Sequence, residues 1–158
     1  MSHYNMGADA SKQGYGATFK TFWIQERYPQ HWQTIFAEKE IGISVLELYP
    51  ILVLMGTFGR HIPNSSVLFH SDNQGVVDIV NKQSSPSPII MNIVRPLVLL
   101  LMEFNINLQS QHLEGTKNIL CDLISRFQVT AGLLHEHHMD PEPTHIPAHL
   151  KSTNCNLK

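Results

Sequence analysis

From residue 44 onward the chain alternates between two periodicities, and this alternation limits the fold more than any other feature. Ser44 precedes an apolar series at helical spacing (Leu48, Ile51, Leu52, Met55 and Phe58), which predicts a helix N-capped by Ser44. That helix is expected to end at Gly59 or at Pro63-Asn64. Consecutive Val67, Leu68 and Phe69 in SSVLFHSD (65–72) then read as a strand buried on both faces. Asp72-Asn73 leads into a short helix with Val76, Val77, Ile79 and Val80. SSPSPII (84–90) is a loop by its Ser and Pro content. A helix follows from about Ile89 to Phe104, which Pro96 should kink or start afresh. INLQSQHL (106–113) alternates as a strand, and ILCDLISRF (119–127) reads as a short helix.

The opening differs. Residues 1–11 read as a short strand entering Asp9-Ala10-Ser11. Gly14 and Gly16 punctuate a turn into a second strand around Tyr15–Phe22. HWQTIFAEKEI (31–41) is open between a third strand and a loop. Strands first, then strand–helix alternation, predict an α/β fold with a mixed sheet flanked by helices. From about residue 129 the periodicity fails, which divides the chain into a domain over 1–128 and a Pro/His-rich linker or tail over 129–158. The HEHH cluster (135–138) is read as scattered tail histidines rather than a transition-metal site.

The length, 158 residues, suits one domain with a real core, and 42% hydrophobic with 15% charged residues fits a soluble globular chain. A net charge of −2 argues against a strong stand-alone nucleic-acid binder. Two cysteines, Cys121 and Cys155, make no disulfide framework, so a reducing, intracellular setting is expected. The N-terminus carries no signal-peptide pattern, and the longest apolar run, Pro96–Met102, is too short to span a bilayer.

Four acidic residues fall where these elements begin or end. Each has an ordinary explanation. Asp9 suits a turn, Glu47 the reciprocal half of a capping box with Ser44, and Asp72 an N-cap. Asp122 suits a surface pair with Arg126 four residues on. Jointly they lie at strand ends or in the first turns of helices around one sheet, where sites of such folds gather. Converging carboxylates repel unless cations lie between them, and oxygen donors select hard divalent ions, Mg²⁺ or Mn²⁺. Two such ions roughly 3.5–4 Å apart can activate water and stabilise the leaving oxygen of a phosphodiester. His112, in the stretch before Asp122, is a candidate proton shuttle beside such a site.

Four segments then carry a resemblance: DAS–x–x–GYGA (9–17), SVLELYPIL (44–52), FHSDNQGVV (69–77) and QHLEGTKNILCDLISR (111–126). In order and spacing they resemble the motifs of type 1 ribonuclease H domains, above all those of DIRS-like (tyrosine-recombinase) retrotransposons. The resemblance spans about residues 7–127. It implies a ribonuclease H-like five-stranded mixed sheet and a metal tetrad of Asp9, Glu47, Asp72 and Asp122. It also implies His112 as the loop histidine for proton transfer or product release, and Ser11, Asn73 and Asn118 near the nucleic-acid backbone. By the same resemblance the cofactor is two Mg²⁺ ions, with Mn²⁺ as a substitute. The substrate is an RNA–DNA hybrid read through 2′-hydroxyls and groove shape, with reverse transcriptase and recombinase domains adjacent in a polyprotein and no membrane partner. The chain departs at Tyr15, where such domains carry Trp, and at Cys121, where they carry Ala. Residues 82–105 offer only Lys82 and Arg95 in place of a basic helix. That shortfall keeps a second expectation in view: a retroelement remnant serving as a nucleic-acid-binding or spacer module. A related exonuclease or transposase core is disfavoured by the DAS–x–x–GYGA opening and the His112–Asp122 loop.

Overall fold

A computed structural model describes residues 1–36 and 40–155. The sheet has the order β3-β2-β1-β4-β5. It is built from β1 (Ser2–Ala10), β2 (Gly14–Phe19), β3 (Phe22–Arg27), β4 (Ser65–Ser71) and β5 (Asn107–His112). β1, β2 and β3 form an antiparallel meander, while β4 is parallel to both β1 and β5. Helices α1 (Gln30–Phe36) and α2 (Glu40–Phe58) connect β3 to β4, and α3 (Gln74–Lys82) and α4 (Pro88–Phe104) connect β4 to β5. α5 (Ile119–Ser125) and α6 (Ala131–Glu136) follow. The expected mixed five-stranded sheet with flanking helices is what forms.

The third strand is Phe22–Arg27, ahead of the stretch 31–41 that the sequence leaves open between a strand and a loop. Lys20 takes a left-handed turn (φ 55°), so the stretch 14–27 folds back as two strands instead of one. Residues 30–36 are helical, and 37–39 lie outside the described residues. Ser44 is not an N-cap, because α2 already runs from Glu40. β4 is also buried on one face rather than both. Ser65, Val67, Phe69 and Ser71 face the core, while Ser66, Leu68 and His70 are half-buried. Pro96 interrupts neither the start nor the course of α4, which begins at Ser87-Pro88 with the Ser87 hydroxyl accepting from the Ile90 amide at 3.4 Å.

α2 is buried nearly all round: Val45, Leu46, Leu48, Tyr49, Ile51, Leu52, Val53, Leu54 and Met55 all lie in the main core. The stretch Gly42–His61 is long and apolar enough to cross a membrane, but 78% of it is buried inside the fold, as befits a core helix. α5 lies on the opposite face of the sheet, where Ile124 forms a second cluster with Trp23 and Leu134. Gly16 makes that approach possible, since a Cβ there would stand 2.5 Å from Ile124 Cβ.

The aperiodic segment after residue 128 is anchored against the domain. The Asp140 and Thr144 amides donate to the Thr21 and Trp23 carbonyls, in the β2–β3 turn and along the outer edge of β3, at 2.9 and 2.8 Å. The Ser152 amide donates to Glu26 Oε2 at 2.8 Å, and the Tyr49 hydroxyl donates to the Leu150 carbonyl. Leu150 fills the space left by Gly56 on α2. The edge strand is thereby covered, as exposed edges usually must be. Removing residues 129–158 exposes this edge together with Leu134 and Leu150, each worth roughly 1.5–3 kcal/mol of burial. The thermal midpoint is expected to fall by on the order of 10 °C in a melting scan. An unchanged midpoint would show that these anchors contribute nothing.

Candidate metal-binding active site

Parallel pairing of β1 with β4 brings their C-terminal ends side by side, with Asp9 near the end of β1 and Asp72 just past β4. α2 packs on β1 and β2 and brings Glu47 to the same end of the sheet. One oxygen from each of Asp9, Glu47 and Asp72 falls within 4.8 Å of the others. No other group among the described residues, the tail histidines included, has such metal-holding geometry.

The ordinary roles open to these acids are largely filled by neighbours. Asn73, not Asp72, caps α3: its Oδ1 accepts from the Val76 amide at 3.2 Å. Glu47 lies well inside α2, where no cap is needed. Asp9 is 6% exposed and accepts the Ala10 amide of its own strand at 3.0 Å.

Asp122 stands at the rim of this group. Its Oδ1 meets Arg126 Nε at 2.9 Å, with the two side chains 39% and 54% exposed, so the surface pair suggested by their spacing does form. Asp122 is still close enough to Asp9 to help hold the Asp9 proton. His112 is exposed at the end of β5, opposite Ser71, where its charge favours the ionised form of Asp72. The Ser11 hydroxyl donates to the Ser125 carbonyl at 2.9 Å and accepts the Gln13 amide at 3.2 Å, which shapes the β1–β2 turn. Asn118 is buried and its amide donates to the Ala8 carbonyl at 3.1 Å, tying α5 to β1. Of the three residues expected near a nucleic-acid backbone, Asn73 and Ser11 are thus partly exposed, while Asn118 is spent on an internal tie.

Burial dominates the electrostatics. It pushes Asp9 from 3.8 up to about 7, reinforced by the charge of Asp72 and a hydrogen bond with Asp122. Burial and the charges of Asp9 and Asp72 push Glu47 from 4.5 up to about 9. Asp72 is raised as well, chiefly by burial. Cys121, under the site and 3.6 Å from the Thr18 hydroxyl, is pushed up by burial to about 12 and remains a thiol. Tyr28, beside Glu47, is raised far above its ordinary value by burial and then by the Glu47 charge, so its phenol stays a donor.

Asp9 and Glu47 hold their protons more tightly folded than unfolded. Their stabilising contribution is therefore complete below about pH 4 and is lost as pH rises through about 7 and about 9. In chelator, the thermal midpoint is expected to fall steadily between pH 5 and pH 9, and millimolar Mn²⁺ should flatten the slope. A flat profile in chelator would contradict this electrostatic picture.

A hollow of about 470 Å³ opens beside Glu47, lined by Ser11, Lys12, Gln13, Ile43, Arg126 and Gln128 among others. Lys12 and Arg126 bring positive charge to this hollow that no basic helix between the third and fourth motifs supplies. Their signal lay in the motifs themselves, Lys12 directly after DAS and Arg126 closing the last one.

No protein-family model and no curated protein sequence matches the chain. Among solved structures it is similar to ribonuclease H1 from the halophilic archaeon Halobacterium salinarum NRC-1. The TM-score is 0.55 at 10% identity, over 80% of this chain and 95% of that one. The fold is therefore ribonuclease H-like.

Proposed function

We propose that the chain is a divalent-cation-dependent ribonuclease that cuts the RNA strand of RNA–DNA hybrids, and that it derives from a DIRS-like retroelement reverse transcriptase. The observation that carries this reading is the meeting of Asp9, Glu47 and Asp72 within 4.8 Å at the ends of two parallel strands. An all-oxygen donor set suits Mg²⁺ or Mn²⁺, and a cluster whose members resist ionisation in one another's company is what a cation would relieve. Bound there, such a cation supplies Lewis-acid chemistry that offsets the charge developing on a phosphodiester.

In this reading Asp9, Glu47 and Asp72 hold the metal, and Asp122 joins from the rim when Arg126 turns to a phosphate. His112, on the solvent side of Asp72, moves a proton or helps product leave. Lys12 and Arg126 offer phosphate contacts beside the carboxylates, partly offsetting the overall charge of −2. Ser11 and Asn73, partly exposed near the ends of β1 and β4, would meet the nucleic-acid backbone in this reading. Reverse transcriptase and recombinase domains in a longer intracellular polyprotein would supply further affinity.

The test is incubation of the chain with end-labelled RNA–DNA hybrid, single-stranded RNA and double-stranded RNA, each with Mg²⁺, Mn²⁺ or chelator. Metal-dependent cutting of RNA in the hybrid alone is expected. The Asp122–Arg126 pair favours a second reading, a retained fold that binds without cutting. Hybrid binding with no cleavage in either metal would select that one.

A further inference from the structure

The resemblance to ribonuclease H domains says nothing about why a proline sits inside α2, three residues after Glu47. Pro50 has no N–H, so the Leu46 carbonyl, one turn back, cannot receive its helical hydrogen bond from residue 50. Leu46 is buried, and a buried carbonyl left without a donor is costly. The Tyr28 hydroxyl donates to that carbonyl.

Tyr28 is well placed to do more than satisfy it. Its own amide donates to the Gln13 carbonyl at 2.9 Å, in the β1–β2 turn that follows Asp9. Its ring is 3% exposed and stacks on Trp32 at 5.4 Å, with Tyr15 5.6 Å away. One rigid residue therefore links the turn after Asp9 to the helical turn that carries Glu47.

We propose that Tyr28 is a positioning residue for Glu47, its hydroxyl standing in for the amide that Pro50 lacks and fixing the α2 turn on which Glu47 faces Asp9 and Asp72. This rests on the reading of Glu47 as a metal ligand. The role is indirect, because Tyr28 acts through the Leu46 carbonyl and not on substrate.

The design of the pair gives the test. Pro50→Ala restores an N–H to residue 50, so Tyr28 should matter only while Pro50 is present. Four full-length proteins are compared: the natural chain, Tyr28→Phe, Pro50→Ala and the double variant. Mn²⁺ affinity is read from the free-ion electron paramagnetic resonance signal, and thermal midpoints are taken in chelator. Tyr28→Phe is expected to weaken Mn²⁺ binding by about tenfold or more, as loss of an orienting hydrogen bond behind a ligand commonly does. In the Pro50→Ala background the same change should cost less than about threefold, since the restored amide takes over.

Equal loss in both backgrounds, or no loss in either, overturns the proposal. Should Tyr28→Phe alone fail to fold, a folded double variant that binds Mn²⁺ like Pro50→Ala supports it, and an unfolded double variant overturns it. If the natural chain binds no Mn²⁺, the metal reading fails. The Tyr28–Pro50 link is then judged by the midpoints alone, where non-additivity supports it and additivity overturns it.

Discussion

Asp72→Asn is expected to weaken Mn²⁺ binding by at least about a hundredfold and to reduce hybrid cleavage by about a thousandfold or more, while the chain stays folded. The magnitude follows from removing a charged oxygen donor from a cluster that has no spare ligand within reach except Asp122, which Arg126 holds at 2.9 Å. The fold survives because Asp72 does no local work. Asn73 caps α3 and the Ser71 hydroxyl accepts the Asn73 amide at 3.1 Å, so both ends of the β4–α3 junction are secured without it. The melting midpoint in chelator should hold or rise slightly, since a charge that raises Asp9 and Glu47 has gone. Retained cleavage in this variant would mean that the carboxylates are not the reacting centre.

Asp9→Asn is expected to do two opposite things at pH 8. It should abolish Mn²⁺-induced stabilisation, and in chelator it should raise the thermal midpoint. Asp9 is buried in the folded chain, and its rise from 3.8 to about 7 corresponds, at ~1.4 kcal/mol per pH unit, to a ceiling of about 4 kcal/mol. Part of that belongs to Asp72 and Asp122, so a gain of about 1–2 kcal/mol is expected, or roughly 3–6 °C. At pH 4, where Asp9 carries its proton in the natural chain, the advantage should vanish. A site that stabilises the protein when one of its own acids is deleted is one whose arrangement answers to a ligand. A midpoint lowered at both pH values would instead make Asp9 a structural residue.

The sequence showed the core of this site and the class of the fold, because both are written in short-range patterns. Asp9 lies in the last residues of a strand and Asp72 just past one, both marked by their motifs, while the parallel register that pairs Gly7 with His70 and brings the two acids level is set only in the fold. Glu47 was legible by motif, although its ordinary explanation, a capping box with Ser44, fails because α2 starts at Glu40. Two things were not legible. The third strand hides behind a two-residue turn at Lys20-Thr21, where no glycine or asparagine announces the left-handed backbone. The C-terminal segment is held by isolated main-chain donors at Asp140, Thr144 and Ser152 and by single side chains such as Leu150, none of which recurs with a period. Asp122 falls between these cases. Its spacing to Arg126 and its place in the motif each predict a partner, and the structure satisfies the first while leaving it beside Asp9. Tyr28 and Pro50 lie far apart in sequence, so their connection through the Leu46 carbonyl becomes visible only in three dimensions.

That Asp9, Glu47 and Asp72 form one divalent-cation site is tested most directly by anomalous diffraction at the manganese edge from crystals of the whole chain grown with Mn²⁺. A peak bounded by the oxygens of all three residues is expected, and it should disappear in Asp72→Asn crystals. No peak there at millimolar Mn²⁺, or one that persists unchanged in the variant, would contradict it.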